Sequence, residues 1–167
     1  MRVKLLLIMM LAFPAPFCAA LPSDANQPIK IESDRAERND KKGTTVYDGS
    51  VVIIQGTIKI RADKVIVYTN NNKVDRIVCI GKPAHYQQQP KPQQGLLLAS
   101  GNTIEYYLAS DRIDLLQNAS LKQNGTTITG EKITYDLKAE VVKASASKNS
   151  KERIQMVIPP SNLKEGN

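Results

Sequence analysis

The sequence predicts an all-β fold of many short antiparallel strands, arranged as repeated hairpin units. Three observations predict it. Short apolar alternations between turn signals dominate, and long stretches with a 3.6-residue period are hard to find. Asn124-Gly125, set between Leu121 and Ile128, is a strong hairpin turn because both central residues must accept positive φ. Finally, one pattern occurs four times: aliphatic, any, small, two polar, aliphatic, any, bulky. The copies start at Ile31, Ile60, Ala99 and Ile128, and their small residues are Ser33, Ala62, Gly101 and Gly130. The steps between those small residues are 29, 39 and 29 positions. Fixed-period self-similarity marks a stacked architecture, in which one unit cannot bury its apolar face alone. The first copy is the weakest, since Ala36 and Arg38 stand where bulky residues stand elsewhere.

The chain opens with a secretory signal, predicted at residues 1–20. Arg2 and Lys4 precede a nine-residue apolar run, Leu5–Phe13, and small residues flank a cut after Ala20. Nine apolar residues are too few to span a bilayer. A lipoprotein signal at Cys18 is disfavoured by Phe17, where a small residue is wanted. A single domain is expected over residues 21–160, followed by a frayed tail at 161–167.

Within the domain, Ile29–Ser33 is the candidate first edge strand. Val51–Ile54 is a β-branched run and hence a strand by propensity. Gln55-Gly56 turns the chain into Thr57–Arg61, whose alternation puts Ile58 and Ile60 on one face and charges on the other. Val65 and Val67 continue that unit. Polar turns follow each copy at Thr69–Lys73, Ala109–Arg112 and Asp136–Glu140. Returning strands end near Gly49, Gly81 and Asn118, and new ones begin at Val51, Ala84 and Ala119. The segment QQQPKPQQG, residues 87–95, is a loop because its prolines cannot donate to a ladder. It supplies the extra length of the middle repeat step. Arg153–Ile158 is one last strand, stopped by Pro159-Pro160.

The net charge of +7 becomes +5 once Arg2 and Lys4 are removed. A basic secreted protein can meet phosphate-bearing lipid, anionic glycan or nucleic acid, or its lysines can simply keep it soluble. Nucleic acid is disfavoured, because basic and aromatic residues do not interleave on one strand. Cleavage leaves Cys79 as the only cysteine, so no internal disulfide can form. It lies in the apolar run Ile77–Ile80 and reads as a buried, inert thiol. His85 is the only histidine, no Gly-x-Ser-x-Gly elbow accompanies it, and it reads as structural or exposed. No zinc spacing, EF-hand loop or glycine-rich phosphate loop is present, so no cofactor is called for and an enzyme is not expected.

The aliphatic positions leave two readings open. Val51, Ile53, Ile58, Ile60, Ile104, Leu121, Ile128 and Ile133 either fill the core of a β-sandwich or line a greasy groove between two sheets. The first reading makes the chain a structural or adhesive module without lipid cargo.

Residues 27–34 (QPIKIESD), 55–65 (QGTIKIRADKV), 81–84 (GKPA), 130–135 (GEKITY) and 157–161 (VIPPS) together resemble the OstA-like LptA family of lipopolysaccharide-transport proteins, over almost the whole mature chain. The resemblance implies a periplasmic protein folded as an open, twisted β-jellyroll of about sixteen antiparallel strands. It implies copies stacked head to tail, bridging an inner-membrane anchored LptC to the outer-membrane translocon LptD. It also implies that lipopolysaccharide travels in a shared groove by its acyl chains. On that reading Ile31, Val65, Val67, Tyr106 and Tyr135 join the eight aliphatics above as groove residues. The terminal strands would then pair with neighbours, through Ile29, Lys30 and Ile31 at one end and Ile154, Met156 and Ile158 at the other. Lys59, Arg61, Lys64 and Lys132 either contact lipid phosphates or form a solvated face.

Overall fold

The computed structural model describes residues 24–71, 73–92, 94–147 and 153–160; the expected signal segment and tail lie outside them. The described residues form ten strands: β1 (Lys30–Glu32), β2 (Arg35–Asn39), β3 (Thr44–Gln55), β4 (Ile58–Asn70), β5 (Lys73–Gln88), β6 (Leu97–Tyr107), β7 (Arg112–Gln123), β8 (Thr126–Asp136), β9 (Val141–Ser145) and β10 (Gln155–Val157). All belong to one antiparallel sheet in the order β1-β3-β4-β5-β6-β7-β8-β10, with β2 also on β3 and β9 also on β8. The sheet is open, since its first and last strands do not pair.

The strand count corrects an expectation. About sixteen short strands are implied by the resemblance; the structure has ten, because six of them run through a bend instead of ending at it. Register breaks interrupt every one of the ladders joining β3 to β8, near Gly49-Ser50, Ala62-Asp63, Gly81–Pro83, Gly101-Asn102, Gln117-Asn118 and Gly130-Glu131. Such breaks turn a strand sharply. Gly49, Gly81 and Asn118, read from the sequence as strand ends, are therefore mid-strand corners. Ser50, Gln117 and Asn118 take positive φ there. The small residues of the repeat also sit at these corners. A Cβ on Gly101 would come within 3.1 Å of the Leu116 carbonyl oxygen, and one on Gly130 within 3.3 Å of the Ser145 carbonyl oxygen. Close approach of neighbouring backbone is what the repeated small position accommodates.

The corners divide the sheet into two layers. The first holds β1, β10 and the half-strands 51–55, 58–62, 84–88, 97–101, 119–123 and 126–130. The second holds β2, β9 and the half-strands 44–48, 64–70, 73–80, 103–107, 112–116 and 132–136. The layers face each other. Tyr86 in the first pairs with Ala99, and Tyr106 lies seven residues further along β6. Those seven residues span about 23 Å if extended. Yet the Tyr86 and Tyr106 rings are 6.4 Å apart, edge to face. Only a sheet doubled over on itself brings them together.

The turns agree with the sequence reading. Asn124 and Gly125 both have positive φ, 50° and 79°, as a type I′ hairpin requires. Asn71, Asp111 and Glu140 take positive φ in the three polar turns. The glutamine-rich loop, read as 87–95, starts later than expected: Gln87 and Gln88 still pair as the end of β5, so the loop lies between Gln88 and Leu97.

Candidate functional site

Strand alternation sends every second side chain between the layers. Of the thirteen positions read as groove, twelve are buried: Val51, Ile53, Ile58, Ile60, Val65, Val67, Ile104, Tyr106, Leu121, Ile128, Ile133 and Tyr135. Ile31, on the edge strand β1, is half-buried and packs against them. The structure thus collects the whole set into one apolar interior. It does not hold them apart as an open slot: the facing side chains fill the space between the layers. Two apolar faces in water close on one another because that removes surface from solvent.

Sequence reasoning missed part of this interior. Ile77, Ala84, Tyr86, Leu97, Ala99, Ile113, Leu115 and Ala119 are equally buried, beside Cys79, whose burial the sequence did predict. Ala84-His85-Tyr86 and Ile113-Asp114-Leu115 carry an alternation that could have found them. Leu97 could not be found that way, because it is the middle of Leu96-Leu97-Leu98, where alternation is silent.

Burial sets the chemistry of the polar atoms within. The Cys79 thiol is pushed up to about 12 by burial, so it stays protonated and unreactive at neutral pH. Burial likewise raises Tyr106 to about 12 and shifts Tyr86 and Tyr135 upward. The Tyr86 hydroxyl donates to Gln88 Oε1 at 2.8 Å. His85 is exposed on the outside of the sheet.

The interior opens where the strand-end turns of the two layers face each other. A cavity of about 270 Å³ lies there. Thr57, Ile58, Gln88, Gln89 and Lys91 line it from the first layer, and Tyr106, Asp111, Tyr135, Leu137 and Glu140 from the second. Asp24 holds the first-layer rim. Its carboxylate accepts from the Thr57 amide (2.7 Å), the Thr57 hydroxyl (2.7 Å) and Gln88 Nε2 (2.9 Å). Lys91, in the loop, donates across the opening to Glu140. That bond holds the Glu140 carboxyl below the usual carboxylate range.

The two ends of the sheet carry bare edges. Residues 30–32 of the expected first edge form β1, paired only with β3. Of the expected last strand, Arg153–Ile158, only Gln155–Val157 pair, and only with β8. Ile154, Met156, Val157 and Ile158 are exposed there.

The family model described as "LptA/(LptD N-terminal domain) LPS transport protein" matches residues 30–141. The lipopolysaccharide export system protein LptH of Pseudomonas aeruginosa is 38% identical over 155 aligned residues, 89% of this chain and 89% of that one. LptA of Haemophilus influenzae is 35% identical, covering 98% of this chain and 94% of its own. LptA of Escherichia coli K12 is 37% identical, covering 89% and 80%. The crystal structure of LptH, described as the LptA homologous periplasmic component of the conserved lipopolysaccharide transport device, superposes with a TM-score of 0.77. The match is 39% identical and covers 83% of this chain and 100% of that one. These relatives are transport proteins rather than enzymes. An open antiparallel sheet doubled around an apolar interior, matched along most of its length by these sequences, places the chain in the LptA/LptD N-terminal-domain family of lipopolysaccharide transport proteins.

Proposed function

We propose that this chain is a periplasmic carrier and bridge for lipopolysaccharide. Its interior takes the acyl chains, and its bare edges join copies to each other and to inner-membrane LptC and outer-membrane LptD. The signal at residues 1–20 is cleaved after Ala20, and residues 21–160 form the carrier domain. The observation that carries this reading is an apolar interior enclosed by a sheet that never closes. Every ladder among the described residues pairs strands within a layer. Parting the layers at their open side therefore breaks apolar contacts but no ladder bonds. An acyl chain entering the gap replaces those contacts. Exposing an alkyl chain of about fourteen carbons to water costs roughly 10 kcal/mol at ~0.8 per methylene, so a continuous apolar sheath offsets a large barrier without tight binding at any one point.

The close packing of the interior favours the second reading, a structural module with a permanently filled core. Photo-crosslinkers separate the two. Placed at Ile53, Ile60 or Tyr135, they capture lipopolysaccharide if the chain is a carrier, and one at the outward-facing Lys143 captures far less. Equal capture at all four positions removes the interior site; none at any position leaves the filled module.

Edge pairing through β1 and β10 supplies about three to five backbone bonds at ~0.5–1.5 kcal/mol each, before association costs. Head-to-tail assembly is therefore concentration-dependent. Light scattering should show mass rising with concentration, and substituting Met156 with proline should abolish the rise by blocking that edge.

A further inference from the structure

The outer side of the first layer is crossed from edge to edge by a single register line. One unbroken row of paired residues crosses all eight of its strands: Lys30, Ile54, Lys59, Gln87, Leu98, Lys122, Thr127 and Val157. The adjacent row includes Arg61 directly opposite His85. The one acidic side chain in the two rows is Glu32, which Lys30 neutralises at 2.7 Å. Lys59, Arg61 and Lys122 take part in none of the ion pairs or side-chain hydrogen bonds formed by the described residues. Three uncompensated cations thus share one face.

Two of them flank a second cavity of about 230 Å³, lined by Lys59, Arg61, His85, Gln87 and Leu98 on this outer side. Its position relative to the mouth cavity is informative. Ile58 and Gln88 line the mouth, and their chain neighbours Lys59 and Gln87 line the outer cavity. The two cavities lie back to back across the ends of β4 and β5. A molecule with apolar chains in the mouth and an anionic head that must stay in water has only to turn over this rim to reach the cations.

We infer that Lys59, Arg61 and Lys122 form a phosphate-binding rim for the head of the same lipid whose chains enter between the layers. The inference rests on the carrier reading and adds the site for the charged end. The mouth itself is mixed in charge: Asp24, Asp111 and Glu140 line it beside Lys91 and Lys138, and Lys91 is already bonded to Glu140. Because the row runs from strand to strand, a phosphate leaving Lys59 meets Lys122 three strands on, along the direction in which stacked copies would continue.

The test compares binding of diphosphoryl lipid A, enzymatically dephosphorylated lipid A and phosphatidylglycerol vesicles to the mature full-length chain. The expected result is that K59Q/R61Q/K122Q weakens diphosphoryl lipid A roughly tenfold, at a few-fold per exposed cation, and leaves the dephosphorylated lipid unchanged. The charge-preserving K59R/R61K/K122R restores the wild-type affinity, which a folding defect would not allow. High salt should weaken wild-type binding of diphosphoryl lipid A and leave the glutamine variant almost insensitive. Equal affinity of both lipids for the wild type overturns the phosphate rim while leaving the carrier standing. Loss of both lipids in the wild type overturns the carrier reading itself. Charge-dependent binding to the vesicles with no preference between the two forms of lipid A also overturns the rim, and makes the face a bilayer contact.

Discussion

The two layers are alike inside and different outside. Their inner faces alternate the same kinds of aliphatic and aromatic side chain, and these meet in one core. On the outer face of the second layer, several cations are neutralised within the sheet. Arg112 and Lys132 flank Asp114 at 3.5 and 3.4 Å, Arg76 faces Glu105 at 3.9 Å, and Arg35 holds Asp48 at 2.7 Å. Arg76 and Arg112 also stack on Tyr68 and Tyr107, with guanidinium carbons 4.4 and 4.1 Å from the ring centres. On the first layer's outer face Lys30 pairs with Glu32, but Lys59, Arg61 and Lys122 form no ion pair among the described residues. The lesson is that a period-2 pattern governs only the buried half of a strand. The exposed half is free to be neutralised in one layer and left charged in the other.

The largest test concerns the shared interior. Tyr86→Ala in the first layer should cost about 3–5 kcal/mol and Ile104→Ala in the second about 2–5, read from urea midpoints. Near-zero cost in one layer would break the equivalence and mark a loose lining there.

A second test uses pH and addresses the interior as a whole. Cys79 and Tyr106 are held up to about 12, and Tyr86 and Tyr135 are also raised. The unfolded chain releases these protons at lower pH, near 8.5 for the thiol and near 10 for the phenols. Between those values and the folded ones, the native state binds more protons, so stability falls as pH rises. Melting temperature should hold up to about pH 8 and then decline steadily. A flat profile to pH 11 would mean that these groups meet water in the folded state.

The outer faces give the finer contrast. Asp114 is buried between two cations, and its Oδ1, like Arg112 Nε, lacks a well-aligned hydrogen bond. Asp114→Asn should cost about 1–3 kcal/mol. Glu32→Gln, breaking an exposed pair in the first layer, should leave the denaturation midpoint unmoved. Equal effects would erase the distinction between a neutralised and an open face.

Much of the interior was legible because alternation is local. Ile58 and Ile60, Val65 and Val67, or Ile133 and Tyr135 each declare their face within three residues. The bends were legible as residues but misread as ends, since a glycine or asparagine at a corner looks like one at a turn. The difference lies in whether the ladder resumes with the same neighbour, which is a long-range fact. Lys59 and Arg61 were visible as charges, yet nothing near them in sequence shows that they lack partners while Lys132 has one.

The sequence by itself determined most of the side chains that point inward, where the tight turns fall and which family the chain resembles, because these depend on residues a few positions apart. Tertiary structure alone decided that the sheet doubles over, that its inner faces meet rather than stand apart, and that the unpaired cations gather on one rim. Those outcomes depend on which strands become neighbours across tens of residues, and no local pattern records that.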